Sequence, residues 1–326
     1  MGNQMRGGHR ARGAGTAAVI LAVFLIASAC STLRDAARST GRVLGDAGRS
    51  VGETFSPGTR PGGLRLPVAV FAGDGLSTPA AADAAARLQR HLEKHLETRC
   101  GGILLDAEFP RLLVSPPRLS SGGIDGHALA LLARPRGVSD VVVGTPLEPW
   151  IEEEKTGFWL WKGIRTRVGM GLRLEIFDVE TGGKSLDERF WEETSVDLEP
   201  EVPGTAVPFE KIPPAVVETL QGRLFAEAAR GACRALAARP WRGFVVAAEG
   251  RELTIAAGRG TGLREGQRLE VFAAGRSLVN REGQRFFLPG GRVGEARIRS
   301  VGELRSVAVL EETLSAEVGA TVRLKP

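Results

Sequence analysis

A long stretch of strict alternation between apolar and polar residues limits the possible fold more than any other feature. Between Thr166 and Asp178 every second residue is apolar. The turn sequence VETGGK then leads into a second alternating segment, SLDERFWEETSVDL. Because successive side chains of a strand point to opposite faces of a sheet, the pattern predicts a long β-hairpin with one buried face.

Apolar runs and helical stripes alternate in the residues before this hairpin. LRLPVAVFA, ILLDA and VSDVVVGTPL have the length and branching of buried strands. A helical stripe from Ala81 to Leu96 ends at a glycine pair, and a short helix is expected from His127 to Ala133. A further helix after the hairpin carries the apolar stripe Val217 to Ala228. These elements predict an α/β sandwich domain with a mixed sheet over residues 64–240.

The last part of the chain, residues 241–326, contains only short strand-like runs separated by glycine-containing turns. The runs are FVVAAE, LTIAA, RLEVFA, RFFLP, ARIRSV, SVAVLE and ATVRLK. Such spacing is typical of a small antiparallel barrel or sandwich. The expected fold class is therefore α+β, with a boundary near Pro240.

The beginning of the chain has the three parts of a secretory signal. Basic residues come first, an apolar run follows from Thr16 to Ile26, and small residues precede Cys30. The run is shorter than the roughly 20 residues that a transmembrane helix needs. Residues 1–29 resemble the signal peptide of bacterial lipoproteins, which implies that Cys30 carries diacylglycerol. An ordinary cleaved signal followed by a chance cysteine is the alternative.

Glycines and prolines interrupt the helical spacing of residues 30–63, so this segment is interpreted as a flexible tether between the lipid and the folded part. Removal of the signal takes three arginines from a chain whose formal net charge is +5. The remaining acids and bases are interleaved, as in REGQRLE, instead of gathered on one surface. Nucleic acid is therefore not an expected partner.

The two other cysteines are Cys100, at the end of a predicted helix, and Cys233, inside another. In an oxidising envelope compartment they are either one disulfide or two buried thiols, and sequence alone leaves both open. Their spacing fits neither a zinc site nor a redox pair.

No catalytic set emerges from the sequence. The GGKS motif at Gly182 to Ser185 is followed by a strand instead of the helix that a phosphate loop requires, and the same holds for the glycines of Gly258 to Gly266. His91 and His95 share a helix edge but lack a third zinc ligand, and His127 has no nucleophile motif to serve. We expect no enzyme activity, metal or cofactor.

An aromatic cluster lies before the hairpin, in EPWIEEEKTGFWLWKGI. Its members are Trp150, Phe158, Trp159 and Trp161. Exposed, they would form an interface for a protein partner or a membrane; buried, they would fill the core beside the hairpin.

Three stretches together resemble a known α/β domain. They are LPVAVFAGDG with its following helix, SDVVVGTPL, and LRLEIFDVETGGKSL. They are similar to the N-terminal domain of the translocation protein TolB, with related forms in the curli secretion channel lipoprotein and in the flagellar assembly protein T family. The segment AAGRGTGLREGQRLEVF with RVGEARIRSV is similar to the C-terminal β domain of the flagellar family.

The resemblance implies a non-enzymatic outer-membrane lipoprotein that faces the periplasm. It would act as a scaffold or assembly factor of an envelope machine, such as the flagellar basal-body ring, with envelope or flagellar proteins as partners. By the rule of lipoprotein sorting, Ser31 gives no signal for inner-membrane retention. The alternative is a curli-channel-like secretion lipoprotein, which would form a homo-oligomeric outer-membrane complex.

Overall fold

The computed structural model describes residues 61–73, 79–113, 115–156, 163–198, 207–311 and 315–325. All of them belong to one compact unit, residues 57–326. Cys30 and the expected signal and tether lie outside the described residues. In the described ranges no helix combines the length and the apolar character needed to cross a membrane.

A five-stranded mixed sheet forms the first part of the unit. Its strands are β1 (Leu66–Ala72), β2 (Ile103–Leu105), β3 (Asp140–Thr156), β4 (Gly163–Asp178) and β5 (Gly183–Val196). Their order across the sheet is β2-β1-β3-β4-β5. β1 runs parallel to both β2 and β3, whereas β3, β4 and β5 are mutually antiparallel neighbours. The hairpin predicted from the alternation is the pair β4 and β5.

Helices cover both faces of the sheet, but unequally. They are α1 (Pro79–Arg99), α2 (Phe109–Leu112), α3 (Gly126–Ala133) and α4 (Pro214–Ala237), with 3-10 turns at Pro61–Gly63, Arg134–Arg136, Phe209–Lys211 and Arg259–Thr261. The stripes of α1 and α4 pack on the apolar face of β4 in one core, which includes Leu88, Leu92 and Leu224. On the opposite face α2 and α3 cover only the part of the sheet that contains Phe71, Val143 and Phe177.

A disulfide joins the two helices of the larger core. Cys100 directly follows α1, Cys233 lies within α4, and their Cα atoms are 5.4 Å apart. Of the two states that the sequence left open, the structure has the disulfide. It links positions separated by 133 residues, so it removes a large loop entropy from the unfolded chain.

β3 is longer than the strand expected from VSDVVVGTPL. It continues through the acidic segment to Thr156, so Trp150 lies within a strand. The register between β3 and β4 shifts between Leu147 and Trp150. This bulge changes which residues face the core, and the period-2 pattern is lost where the strand continues.

The rest of the chain closes into a six-stranded antiparallel barrel. Its strands in sequence are β6 (Gly243–Glu249), β7 (Glu252–Ile255), β8 (Arg268–Phe272), β11 (Arg292–Val301), β12 (Ser306–Leu310) and β13 (Thr321–Leu324). The remaining strands, β9 (Arg276–Val279) and β10 (Arg285–Leu288), form a separate hairpin between β8 and β11. The run RFFLP is β10 and therefore lies outside the barrel. β9 is a strand that the sequence pattern did not reveal, because all four of its residues are exposed.

The barrel and the sheet share backbone contacts and core residues. Leu64, just before β1, is buried in the barrel core. The amide of Arg65 donates to the carbonyl of Thr261 at 2.8 Å, and the Ser139 hydroxyl donates to the carbonyl of Arg242 at 3.0 Å. The barrel is thus attached along the edge where β1 and β3 begin.

A buried ionic cluster completes this junction. Its carboxylates are Asp140, Asp178 and Glu180 of the sheet, and its cations are Arg239 and Arg242 after α4 and Arg323 of β13. We call these six residues the ionic seam. Its ion-pair distances run from 2.6 Å to 2.9 Å, and each carboxylate takes part in at least one of them.

Asp140 is the most deeply buried member of the ionic seam, with 1% of its surface exposed. Arg239 donates to one carboxylate oxygen at 2.9 Å, while the other oxygen has no hydrogen-bond partner among the described residues. Loss of hydration raises the pKa of Asp140 to about 6, and Arg239 opposes the shift only in part. The carboxyl therefore binds a proton more readily in the folded than in the unfolded chain.

The raised pKa of Asp140 predicts that the stability of the fold depends on pH. Between about pH 4 and pH 6 the folded Asp140 holds a proton that the unfolded one has released. The stabilisation that this proton provides is therefore present at low pH and lost as the pH rises. Urea unfolding from pH 4 to pH 7 should show that the stability of the wild type relative to Asp140→Asn falls by up to about 3 kcal/mol. Parallel profiles of the two proteins would contradict the assignment.

Candidate functional site

One half of the sheet face opposite α1 and α4 is not covered by any described element. It is formed by the second half of β3 and by the residues of β4 and β5 that lie beside it. This region is away from the end of the sheet on which α3 packs. We call it the open face. Its cross-strand neighbours are Trp150 with Gly169, Gly171 with Trp191, and Arg173 with Arg189.

Two tryptophans lie over glycines at the centre of the open face. A Cβ atom on Gly169 would overlap the indole of Trp150, and one on Gly171 would lie 2.5 Å from the indole of Trp191. The two rings therefore rest directly on the backbone of β4, one from each side. Trp191 keeps 50% of its surface exposed, which is unusual for so large an apolar side chain.

Charged side chains surround this aromatic centre. Arg167 donates to Glu193 at 2.7 Å and places its guanidinium carbon 5.6 Å from the centre of the Trp150 ring. Arg173 binds Asp187 through two hydrogen bonds of 2.8 and 2.6 Å. The open face thus combines flat aromatic surface with paired charges, as protein interfaces commonly do.

The charges nearest the covered end of the face hold each other in place. The hydrogen bond from Arg173, followed by that from Lys184, lowers the pKa of Asp187 well below its usual range. The hydrogen bond to Asp187 in turn raises the pKa of Arg173. Asp187 and Arg173 therefore both stay ionised at physiological pH, so the ion pair between them is permanent.

The aromatic residues predicted as an interface have different outcomes. Trp150 is half-buried on the open face, packed against Gly169 and near Arg167. Phe158, Trp159 and Trp161 lie outside the described residues. Trp191, the most exposed aromatic of the face, was not among the predicted residues. The available signal was the pair of glycines on alternate positions of β4, which leaves room on one face for large neighbours.

His91, His95 and His127 each pack against other aromatic or imidazole rings. The rings of His91 and His95 stack at 6.2 Å, and His91 also contacts Phe225. Burial lowers the pKa of both, and the neighbouring Lys94 lowers that of His91 further. His127 stacks on Phe287 of β10 at 4.3 Å. Among the described residues no three His, Cys, Asp or Glu side chains are grouped as a metal ion would require.

The two glycine motifs are turns in a β context. GGKS contains the end of the turn between β4 and β5, and β5 begins at Gly183. The segment Gly258 to Gly266 includes the 3-10 turn Arg259–Thr261 and leads into β8. Each motif leads into a strand and not into a helix, as the sequence pattern predicted for both.

No protein-family model matches this chain, and no curated protein matches it either. Among solved structures, it is similar to a hypothetical protein from Chlamydia trachomatis, with 17% identity, a TM-score of 0.31, and coverage of 54% of this chain and 99% of that one. It is also similar to a minor lipoprotein from Acinetobacter baumannii, at 14% identity and a TM-score of 0.26, covering 53% and 92% of the two chains. A candidate lipoprotein from Caulobacter crescentus has 14% identity and a TM-score of 0.23, with 52% and 87% covered. With TM-scores this low, these similarities carry no conclusion about fold or function.

Because Trp191 packs closely on Gly171, the effect of a substitution at Gly171 on the free energy of unfolding should depend on whether Trp191 is present. Gly171→Val should destabilise the wild type by about 1–3 kcal/mol, because the new side chain displaces the indole. In a Trp191→Ala background the same change should be neutral or stabilising, since valine favours strands over glycine. Urea unfolding of the four proteins measures the difference.

Gly169→Val provides the matched control, because it meets Trp150 instead. It should remain destabilising in the Trp191→Ala background. An equal cost of Gly171→Val with and without Trp191 would show that the indole does not rest on this glycine.

Proposed function

We propose that this protein is a non-enzymatic lipoprotein, anchored to the outer membrane through Cys30, that acts as a periplasmic scaffold in an envelope assembly. The observation that carries the scaffold role is the open face. It presents Trp150 and Trp191 on a flat floor of glycine backbone, surrounded by paired charges. Large aromatic side chains held in one orientation contribute strongly to protein interfaces because little conformational entropy is lost when they bind.

The rest of the fold supports the open face mechanically. Below it, α1 and α4 pack on the apolar side of β4, and the disulfide joins these helices. At the end of the sheet where β3 begins and β4 ends, the ionic seam attaches the barrel to the same strands. A docking surface built on strands that are held from two sides keeps its shape in the absence of a partner.

The specific machine is proposed from the sequence resemblance. The likeness of residues 64–326 to TolB-like and flagellar assembly protein T-like domains suggests the ring at the flagellar base as the assembly. Loss of motility in a deletion strain of the source bacterium, restored by the wild-type gene, would support this role. Normal motility and normal rings in the deletion strain would rule out the flagellar role. The broader scaffold proposal would then be decided by the Trp150→Ala variant.

Removal of one indole from the open face should impair assembly without unfolding the protein. We expect Trp150→Ala to lose most of the chain's co-purification with its envelope complex in detergent extracts, because its ring covers the centre of the face. Leu304→Ala is the matched control, since Leu304 is an exposed apolar residue on the barrel, 81% accessible. Equal recovery of the complex with both variants would contradict a role of the open face.

The anchor is tested separately. Cys30→Ala should move the protein from the membrane fraction to the soluble periplasmic fraction, because the sulfur that would carry the lipid is absent. Ser31→Ala, a change of similar size at the next position, should leave fractionation unchanged. Membrane recovery of Cys30→Ala at the wild-type level would rule out lipidation as the anchor.

A further inference from the structure

β5 forms one edge of the five-stranded sheet in the described part of the chain. It pairs with β4 from Gly183 to Val196 and has no strand on its other side. The opposite edge, β2, contains only Ile103–Leu105. A long edge strand exposes a row of backbone donors and acceptors that can pair with another strand.

Few of the usual devices that prevent such pairing are present in β5. It contains no proline. The register shift with β4 lies at the turn end of the strand, next to Phe177, so the segment from Leu186 to Val196 is regularly paired. Charged side chains are the remaining device, since like charges facing each other oppose pairing. Their order along β5 therefore decides whether two copies of the edge can meet.

Two identical strands related by a two-fold axis pair antiparallel, and the residue at the axis faces its own copy. Centring the pair on Asp187, Glu188, Arg189 or Glu192 would place a charge opposite itself. Centring it on Phe190 would place Glu188 opposite Glu192 and Asp187 opposite Glu193. Each of these registers brings like charges together.

A centre on Glu193 would likewise place a charge opposite itself, so among the registers centred between Asp187 and Glu193 only the one centred on Trp191 has no like-charge pair. Arg189 of each copy faces Glu193 of the other, on the same side of the sheet as Trp191. At the two ends of the pairing Leu186 faces Val196. Arg189 is exposed and forms no ion pair among the described residues, whereas Glu193 already accepts from Arg167 and has capacity for a second donor.

We propose that β5 is a self-association edge, and that two copies of this protein pair through it with Trp191 at the two-fold axis. The partner is a second copy of the chain, selected by the alternating charges of β5. Pairing joins the two sheets side by side, so the two open faces become one continuous surface with Trp191 in the middle. The inference goes beyond the scaffold role and does not depend on the lipid anchor.

A cysteine at the axis tests the register directly. In the full chain, Trp191→Cys should form a disulfide-linked dimer under mild oxidation, because facing Cα atoms in an antiparallel pair lie about 4.5–5.5 Å apart, within disulfide reach. Ser195→Cys is the matched control on the same face of β5. Its two copies would lie roughly 27 Å apart at about 3.4 Å per residue and should not link.

A mixture of Asp187→Cys and Ser195→Cys proteins should link in the mixed combination, because these positions face each other across the axis. The unsubstituted chain, which contains Cys30, sets the background. Absence of a Trp191→Cys dimer above this background, or equal linking of Ser195→Cys alone, would overturn the proposed register.

Charge reversal tests the same pairing without removing Trp191. Arg189→Glu and Glu193→Arg should each weaken self-association at least about tenfold in sedimentation, because each places like charges opposite each other twice. An equimolar mixture of the two variants should associate again, since both cross-strand pairs are then of opposite charge. Unchanged association of the single variants, or no recovery in the mixture, would refute the pairing.

The outcome is separable from that of the scaffold proposal. A self-association edge predicts that Arg189→Glu disrupts dimers whether or not the protein is anchored or bound to a complex. Trp150→Ala, which leaves β5 unchanged, should still form the dimer. Thermal unfolding of every variant shows whether a loss of association is a loss of fold.

Discussion

The ionic seam is the interaction on which the arrangement of the molecule depends. Burying a carboxylate in a protein interior costs several kcal/mol unless a counter-charge and hydrogen bonds replace the lost water. Here Asp178 is contacted by both Arg239 and Arg242, and Glu180 by Arg242 and Arg323. Arg242 directly precedes the first barrel strand and Arg323 lies in β13, so the pairing of Glu180 and part of that of Asp178 are complete only when the barrel is in place. Barrel and sheet are therefore expected to behave as one cooperative unit.

The parts of the fold that repeat at short range could be predicted from the sequence. The alternation from Thr166 to Asp178 gave β4, and the stripes of α1 and α4 follow from helical spacing. Where local pattern and structure disagree, a local irregularity is the cause. The bulge after Leu147 hides the second half of β3. β9 is invisible because none of its residues is buried.

The seam and the open face could not be predicted, because their members are distant in sequence. Arg239 and Asp140 are 99 positions apart, and Arg323 and Glu180 are 143 apart. Nothing in the local sequence distinguishes these charges from the solvated ones around them. Trp150 was identified from local composition, whereas Trp191 gains its meaning from Gly171 on the neighbouring strand. Only the strand register brings that pair together.

The position of Leu64 has a consequence for how the chain acquires its structure. This residue lies two positions before the first strand of the sheet, yet it is buried in the core of a barrel whose last strand ends at Leu324. Contacts between such distant positions form slowly, because a long loop must first close and lose conformational entropy before the contacts stabilise the chain. During synthesis, the start of the folded region therefore cannot complete its packing before the final strand is available. A partly synthesised chain thus stays incompletely folded, and accessible to chaperones and proteases, until almost all of it has been made.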